Sequence, residues 1–210
     1  MKLFYATGSS SLFPHIVLHE AGLSFEPIKI DEHTKEIAGG GNYRSINPLG
    51  TVPALVLDDG TLITEGAVIA QYLADLVPEK GLAPPCGTMG RIRLQSWLNF
   101  ISSDMHKGGF SPLFYKGLPE DGRDVFRARL KARFNHIDQH LAANTYLLGD
   151  AYSIADAHLF VVSSWASWTN FDLSPYRSVL AFRERVASRN AVVAALAAEG
   201  LVPWPTTQPH

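Results

Sequence analysis

With one cysteine, Cys86, among 210 residues, the chain can form neither an intrachain disulfide nor a cysteine-built metal cluster, and this scarcity suits a reducing compartment. It has no excess of either charge. Eighteen Lys and Arg stand against twenty Asp and Glu, for a net charge of -2, so the counterion release that drives nucleic-acid binding has no basic surplus behind it. Long apolar runs are also missing. The opening Lys2-Leu-Phe-Tyr-Ala6 is interrupted at Thr7 and Gly8, too soon for a signal-peptide core, and no stretch is long enough to span a membrane. A cytoplasmic location with neither membrane nor nucleic acid as partner is therefore expected. What the chain does have is 46% hydrophobic against 18% charged residues, enough to bury the core of one large or two small domains.

Residues 2–6 read as a strand, and Thr7 to Ser11 as a turn into a helix with Pro14 in its first turn, where a missing N–H is tolerated. Gly22 is a natural stop. Residues 24–30 predict a second strand, parallel to the first because a helix intervenes, and Pro27 suits a sheet edge. Residues 31–50 carry Gly39, Gly40 and Gly41 and read as a long loop with one helical turn near Lys35. Thr51–Leu57 and Thr61–Thr64 flank Asp58-Asp59-Gly60, a hairpin signal, and Glu65 opens another helix. The resulting order, β-α-β-loop-β-β-α, is thioredoxin-like.

After Val77-Pro78 the character changes. A linker over 79–88 is rich in Pro and Gly, and the rest has helical periodicity: Arg91 to Met105, Arg123 to Leu141, a capping-box-like Ser153-Ile-Ala-Asp156 before an apolar run, Tyr176 to Ser188 and Ala191 to Glu199. The expected fold class is α/β plus all-α. It comprises a thioredoxin-like domain over 1–78, the linker, and a helical bundle over 89–210.

Lys2-Leu-Phe-Tyr5, Ser11-Leu12, Pro14-His15, Asn47-Pro48-Leu-Gly50, Val52-Pro53-Ala-Leu55, Thr64-Glu65-Gly66, Gln71-Tyr72-Leu-Ala74, Trp97 to Ser103, His106-Lys107 and Leu147-Leu-Gly-Asp150 occur in an order and spacing that resemble a cytosolic glutathione S-transferase, nearest the bacterial beta class. The resemblance implies a homodimer that uses glutathione as co-substrate and joins its thiolate to small hydrophobic electrophiles, with no metal. It implies glutathione-binding roles for Lys35, Val52, Pro53, Glu65, Gly66, Asn99, Ser103 and Lys107. In this family the proline matched by Pro53 is cis, which exposes the backbone of Val52 to the extended ligand. Glu65 and Gly66 open a helix whose free N–H groups suit a carboxylate, and Gly66 lacks the hydroxyl that some relatives carry. His106 is implied near the sulfur. Asn99, Ser103, His106 and Lys107 share one face at α-helical spacing.

The departure is at residue 10. Beta-class enzymes usually have cysteine there, and this chain has Gly8-Ser9-Ser10-Ser11. A serine cannot exchange disulfides, which excludes thiol-disulfide chemistry at that position. Conjugation needs only a stabilised glutathione thiolate. Lowering a thiol from about 8.5 by two units asks for roughly 2.7 kcal/mol, the scale of one hydrogen bond to a charged acceptor. Ser10, Ser11 and Tyr5 are the candidate donors, the serines ahead of Tyr5. Phe110, Phe114, Tyr115 and Trp165, with Trp168, are the candidate walls of an apolar pocket for the electrophile. A non-catalytic glutathione or hydrophobic-ligand binding protein is the alternative reading. His15 with His19 and His136 with His140 have metal-compatible spacing but no third ligand.

Overall fold

The structure, a computed structural model, describes residues 1–202. In chain order its elements are β1 Lys2–Tyr5, α1 Leu12–Ala21, β2 Glu26–Lys29, β3 Ala54–Val56, β4 Leu62–Thr64, α2 Gly66–Asp75, α3 Met89–Phe100, a π-helical stretch Ile101–Phe110, a single turn α4 Ser111–Leu113, α5 Glu120–Ala143, α6 Ile154–Ser164, α7 Arg177–Ala187 and α8 Asn190–Ala198. They form two compact units: residues 1–82 with 190–202, and residues 83–189. The segment 203–210, expected within the helical bundle, lies outside the described residues.

In the first unit the sheet order is β2-β1-β3-β4. β1 and β2 run parallel with Phe4 opposite Ile28, while β3 is antiparallel to both β1 and β4. Pro27 thus lies on an edge strand. Gly22 ends α1 with a left-handed φ of 68°, and Gly60, at φ 87°, closes the β3–β4 hairpin. One i→i+4 turn joins Lys35 N–H to Asp31 O, and a 3₁₀ turn follows at Tyr43–Ser45. One side of the sheet buries Phe4, Ala6, Ile30, Tyr43 and Ala54 together.

The last helix departs from the expected bundle. α8 packs on α1 in the first unit, burying Val192, Ala195 and Leu196. Periodicity shows that a helix has an apolar face, whereas the neighbour that covers it is set by tertiary packing.

The second unit is helical. Thr88 Oγ1 accepts the Arg91 N–H to start α3, and every residue of α6 is buried. The Asp156 carboxylate accepts Ser153 N–H and Leu147 N–H, each at 2.8 Å, so the capping motif also pins the preceding loop. Phe134, Phe171 and Tyr176 form a ring cluster with Phe110 at its edge.

Between α3 and α4 the helix widens, and the Ser111 N–H donates to His106 O five residues back. Gly109 permits this wide turn to lie against α5. A Cβ there would stand 2.6 Å from Leu130 Cδ2 and 3.0 Å from Asp104 O. Gly109→Ala is therefore expected to lower stability by about 1–3 kcal/mol through overpacking, read from the urea midpoint. An unchanged midpoint would mean that the close approach does not constrain the fold.

Candidate active site

In the first unit the β1–α1 turn is built by its serines. Ser11 Oγ accepts Ala6 N–H and donates to Ala6 O, both at 3.1 Å, and it accepts a 2.7 Å bond from Ser9 Oγ. One proton and two lone pairs are then used, and Ser11 is fully buried. The structure corrects the expectation that Ser11 could hold a thiolate, because its hydroxyl stitches the turn instead. Ser9 Oγ also accepts Ser11 N–H at 3.2 Å, which closes the turn just before α1.

Ser10 is half-buried, and its hydroxyl donates to Val52 O at 3.1 Å. The Val52–Pro53 bond is cis. A Cβ on Gly66 would lie 3.4 Å from Phe13 Cδ1 and 3.5 Å from Pro53 Cγ, so the starts of α1 and α2 meet the strand that begins after Pro53. Ser10, Val52, Pro53 and Gly66 are thereby brought together. Glu65 is exposed with a left-handed φ of 65°, and its carbonyl accepts the N–H groups of Val68 and Ile69. Lys35, also at positive φ (63°), has its carbonyl bonded to Tyr43 N–H. Tyr43 in turn donates its hydroxyl to Thr51 O at 2.8 Å, and Asn47 Nδ2 donates to the same oxygen. Tyr43 therefore couples the Lys35 loop to the residue before Val52, a role that its place in a loop gave no reason to expect.

Glu199 was also missed as a contributor. Its carboxylate is buried, accepts Gly8 N–H at 2.8 Å, and shares a 2.8 Å hydrogen bond with His15 Nδ1. No local pattern announces it, since it follows an alanine-rich helix almost two hundred residues downstream of Gly8. Tyr5 packs against the His15 ring with centroids 5.6 Å apart. Burial, followed by the Glu199 charge, raises its phenol above the usual range and keeps it protonated.

The second unit holds the remaining predicted residues. Asn99, Ser103 and Lys107 are exposed, and Ser103 Oγ donates to Asn99 O at 2.9 Å. The shared face expected from α-helical spacing does not survive the π-helical stretch. In a wider turn positions four apart stay roughly aligned and positions three apart swing away, so His106 turns inward to meet Trp165 at 4.7 Å between ring centroids. Burial, with a smaller effect of the Lys107 charge, pushes the His106 imidazole down to about 4, leaving it neutral at pH 7. Phe114 and Phe110 both approach Trp165 edge-to-face, at 6.1 and 6.2 Å. Phe110 has no exposed surface, which corrects its assignment as a pocket wall: it backs Trp165 from the core. Phe114, Tyr115 and Trp168 are exposed.

Among the described residues no group of three or more His, Cys, Asp or Glu side chains could hold a metal ion. His15 stacks on His19, and His136 and His140 both pack on Trp97.

A thioredoxin-like unit that gathers a cis-proline strand start with two helix N-termini, in one chain with a helical unit carrying a neutral histidine and aromatic side chains, defines a glutathione transferase architecture. The comparisons agree. Family models described as "Glutathione S-transferase, N-terminal domain" and "Glutathione S-transferase, C-terminal domain" match residues 11–76 and 103–199. The chain is 42% identical over 201 residues to the glutathione S-transferase GstA of Escherichia coli O157:H7, covering 96% of this chain and all of that one. Among solved structures, a ternary complex of BphK, a bacterial glutathione S-transferase, is 50% identical with a TM-score of 0.94, covering 96% of this chain and 100% of that one. A sphingomonad glutathione S-transferase complexed with glutathione is 39% identical with a TM-score of 0.92 and the same coverage, and a beta-class enzyme from Sphingomonas chungbukensis is a further neighbour. The chain belongs to the glutathione S-transferase family.

The buried titratable groups set an acid limit on stability. His106 falls to about 4 and His158, buried on α6, to about 3, against 6.5 unfolded, so from pH 6.5 downward the unfolded chain binds the extra protons and their contribution is lost as pH falls. Burial pushes Asp156 the other way, to about 6 against 3.8, so the folded state binds its proton first and the stability it contributes, present below pH 4, is lost as pH rises through 6. Two histidines outweigh one carboxyl. Acidification from pH 7 to 5 should lower unfolding stability by about 2–3 kcal/mol, measured by urea titration with tryptophan fluorescence. A flat profile would contradict the lowered affinity of these two imidazoles for protons.

Proposed function

We propose that this chain is a bacterial-type glutathione S-transferase in which Ser10, standing where beta-class enzymes usually have cysteine, stabilises the thiolate of bound glutathione for attack on a small hydrophobic electrophile. The observation that carries this reading is the 3.1 Å bond from Ser10 Oγ to Val52 O. Val52 is the backbone that an extended ligand would pair with. When the cysteinyl amide of glutathione takes that carbonyl, the Ser10 proton is released to turn toward the neighbouring sulfur. The N-terminus of α1 adds favourable potential, and a hydrogen bond to a charged acceptor contributes about 1.5–3 kcal/mol. The first N–H groups of α2, beside Gly66, receive the γ-glutamyl carboxylate, Glu65 faces its ammonium and Lys35 the glycyl carboxylate. Asn99, Ser103, His106 and Lys107 of the helical unit keep the roles toward glutathione that the family resemblance gives them. Phe114, Tyr115 and Trp165 line the electrophile pocket.

Functionally, residues 1–78 make the glutathione-binding domain, 79–88 the linker, and the helical domain begins at 89. Exposed Met89 and Ile92 on α3 support assembly as a homodimer.

Ser10→Ala should raise the thiol pKa of bound glutathione by one to two units, read from the ultraviolet thiolate band, and lower kcat/KM for chlorodinitrobenzene by about 10- to 100-fold at pH 6.5. Ser11→Ala should instead lower the urea midpoint and leave the thiol pKa within a few tenths. Unchanged thiolate ionisation in Ser10→Ala would overturn the assignment.

A further inference from the structure

The segment that carries Phe114 and Tyr115 is held by short turns of its own, in which the N–H groups of Phe114, Tyr115 and Leu118 donate to the carbonyls of Ser111, Pro112 and Tyr115, and by little buried side chain. It lies between α4 and α5 without regular structure, Phe114 and Tyr115 are 45% and 65% exposed, and Lys116 and Gly117 are exposed too. Side-chain burial, the usual anchor of a loop, is nearly absent, and a floppy segment would present its rings in many orientations.

One side chain ties these turns to α5. Arg123, near the start of α5, donates Nη1–H to Leu113 O at 2.6 Å, Nη2–H to Tyr115 O at 2.7 Å and Nε–H to Leu118 O at 3.2 Å. These carbonyls come before, within and at the end of the segment. The planar guanidinium offers its donors in a fixed fork, so satisfying three acceptors at once fixes their relative positions; an ammonium, with a single nitrogen, cannot span them. Arg123 is also anchored from its own helix: its backbone N–H donates to Pro119 O at 3.0 Å, and Glu120 lies 3.8 Å from Nε. Glu120 and Asp124 both pair with Arg127 one turn on, which fixes the acid beside Arg123.

We propose that Arg123 is a specificity-determining positioning residue: by holding the carbonyls of Leu113, Tyr115 and Leu118 it sets Phe114 edge-on to Trp165 and fixes the backbone that carries Tyr115, preforming an aromatic wall that selects planar aromatic electrophiles over small aliphatic ones. In this role Arg123 acts through the three carbonyls it holds and not on the reacting atoms. The inference rests on the reading of Phe114, Tyr115 and Trp165 as the electrophile wall. Preorganisation matters here because a ring already in place stacks on a planar substrate without first losing rotational freedom.

The test compares Arg123→Lys, Arg123→Ala and the double variant Phe114→Ala/Tyr115→Ala with the parent enzyme, at saturating glutathione, on chlorodinitrobenzene and on iodomethane. Arg123→Lys is expected to raise KM for chlorodinitrobenzene about 3- to 10-fold with kcat within twofold, which is loss of binding common to ground and transition states. The KM for glutathione and the kcat/KM for iodomethane should stay within twofold. Amide exchange over residues 113–119 should speed up in Arg123→Lys while the urea midpoint holds. A purely structural role would instead depress both electrophiles together and shift the midpoint. Should the double variant raise the aromatic KM while Arg123→Lys and Arg123→Ala do not, the positioning role is overturned and the wall stands. If the double variant leaves the aromatic KM unchanged, the wall itself is wrong and the proposal falls with it.

Discussion

A carboxylate buried at the far end of the chain is the constraint around which the first unit is arranged. Glu199 gives up its hydration and recovers hydrogen bonds from the Gly8 amide and the His15 ring. A hydrogen bond to a charged group contributes about 1.5–3 kcal/mol, so the turn at Gly8, helix α1 and helix α8 are set jointly. The turn that presents Ser10 is thereby fixed from outside its own segment. Ser9 and Ser11 lock it from within by saturating each other and Ala6. Of three consecutive hydroxyls, two are occupied by structure, and the third points at the backbone of Val52.

The fold was largely legible. Pro27, Gly22 and the Asp58-Asp59-Gly60 turn each act locally, and each appears where local physics puts it: an edge strand, a left-handed helix stop, a hairpin. What was not legible is what depends on contacts far apart in sequence. The pattern of α8 specified a helix with an apolar face, but α1 covers that face, and only the partner of Glu199 explains why a carboxylate can end it. The same holds for Phe110, whose spacing reads equally as wall or core until Phe134 and Phe171 are seen beside it.

The helix after the linker shows a subtler failure. Reading Asn99, Ser103, His106 and Lys107 as one face assumed 3.6 residues per turn throughout, but the backbone changes period at Ile101. The signal was present in the adjacent Gly108-Gly109, both of which would clash if they carried a Cβ. Paired glycines within an apolar helical pattern mark a close approach or an altered turn. The consequence is chemical: the wide turn sets the half-buried His106 against Trp165, where partial burial favours the neutral imidazole, while Ser103 and Lys107 stay on the solvent side.

Serine in place of cysteine removes one chemistry and leaves another. A residue-10 thiolate could attack a disulfide but would also stand beside a glutathione thiolate as a like charge, and like charges disfavour each other's ionisation. A serine hydroxyl stays protonated at neutral pH and has only a proton to give. That favours the anionic form of a neighbouring sulfur and supplies no competing nucleophile. A hydroxyl at residue 10 can donate a hydrogen bond to an anionic sulfur but cannot exchange disulfides, so the chemistry left to Ser10, whose proton points at the Val52 carbonyl, is that of a donor and not of a nucleophile.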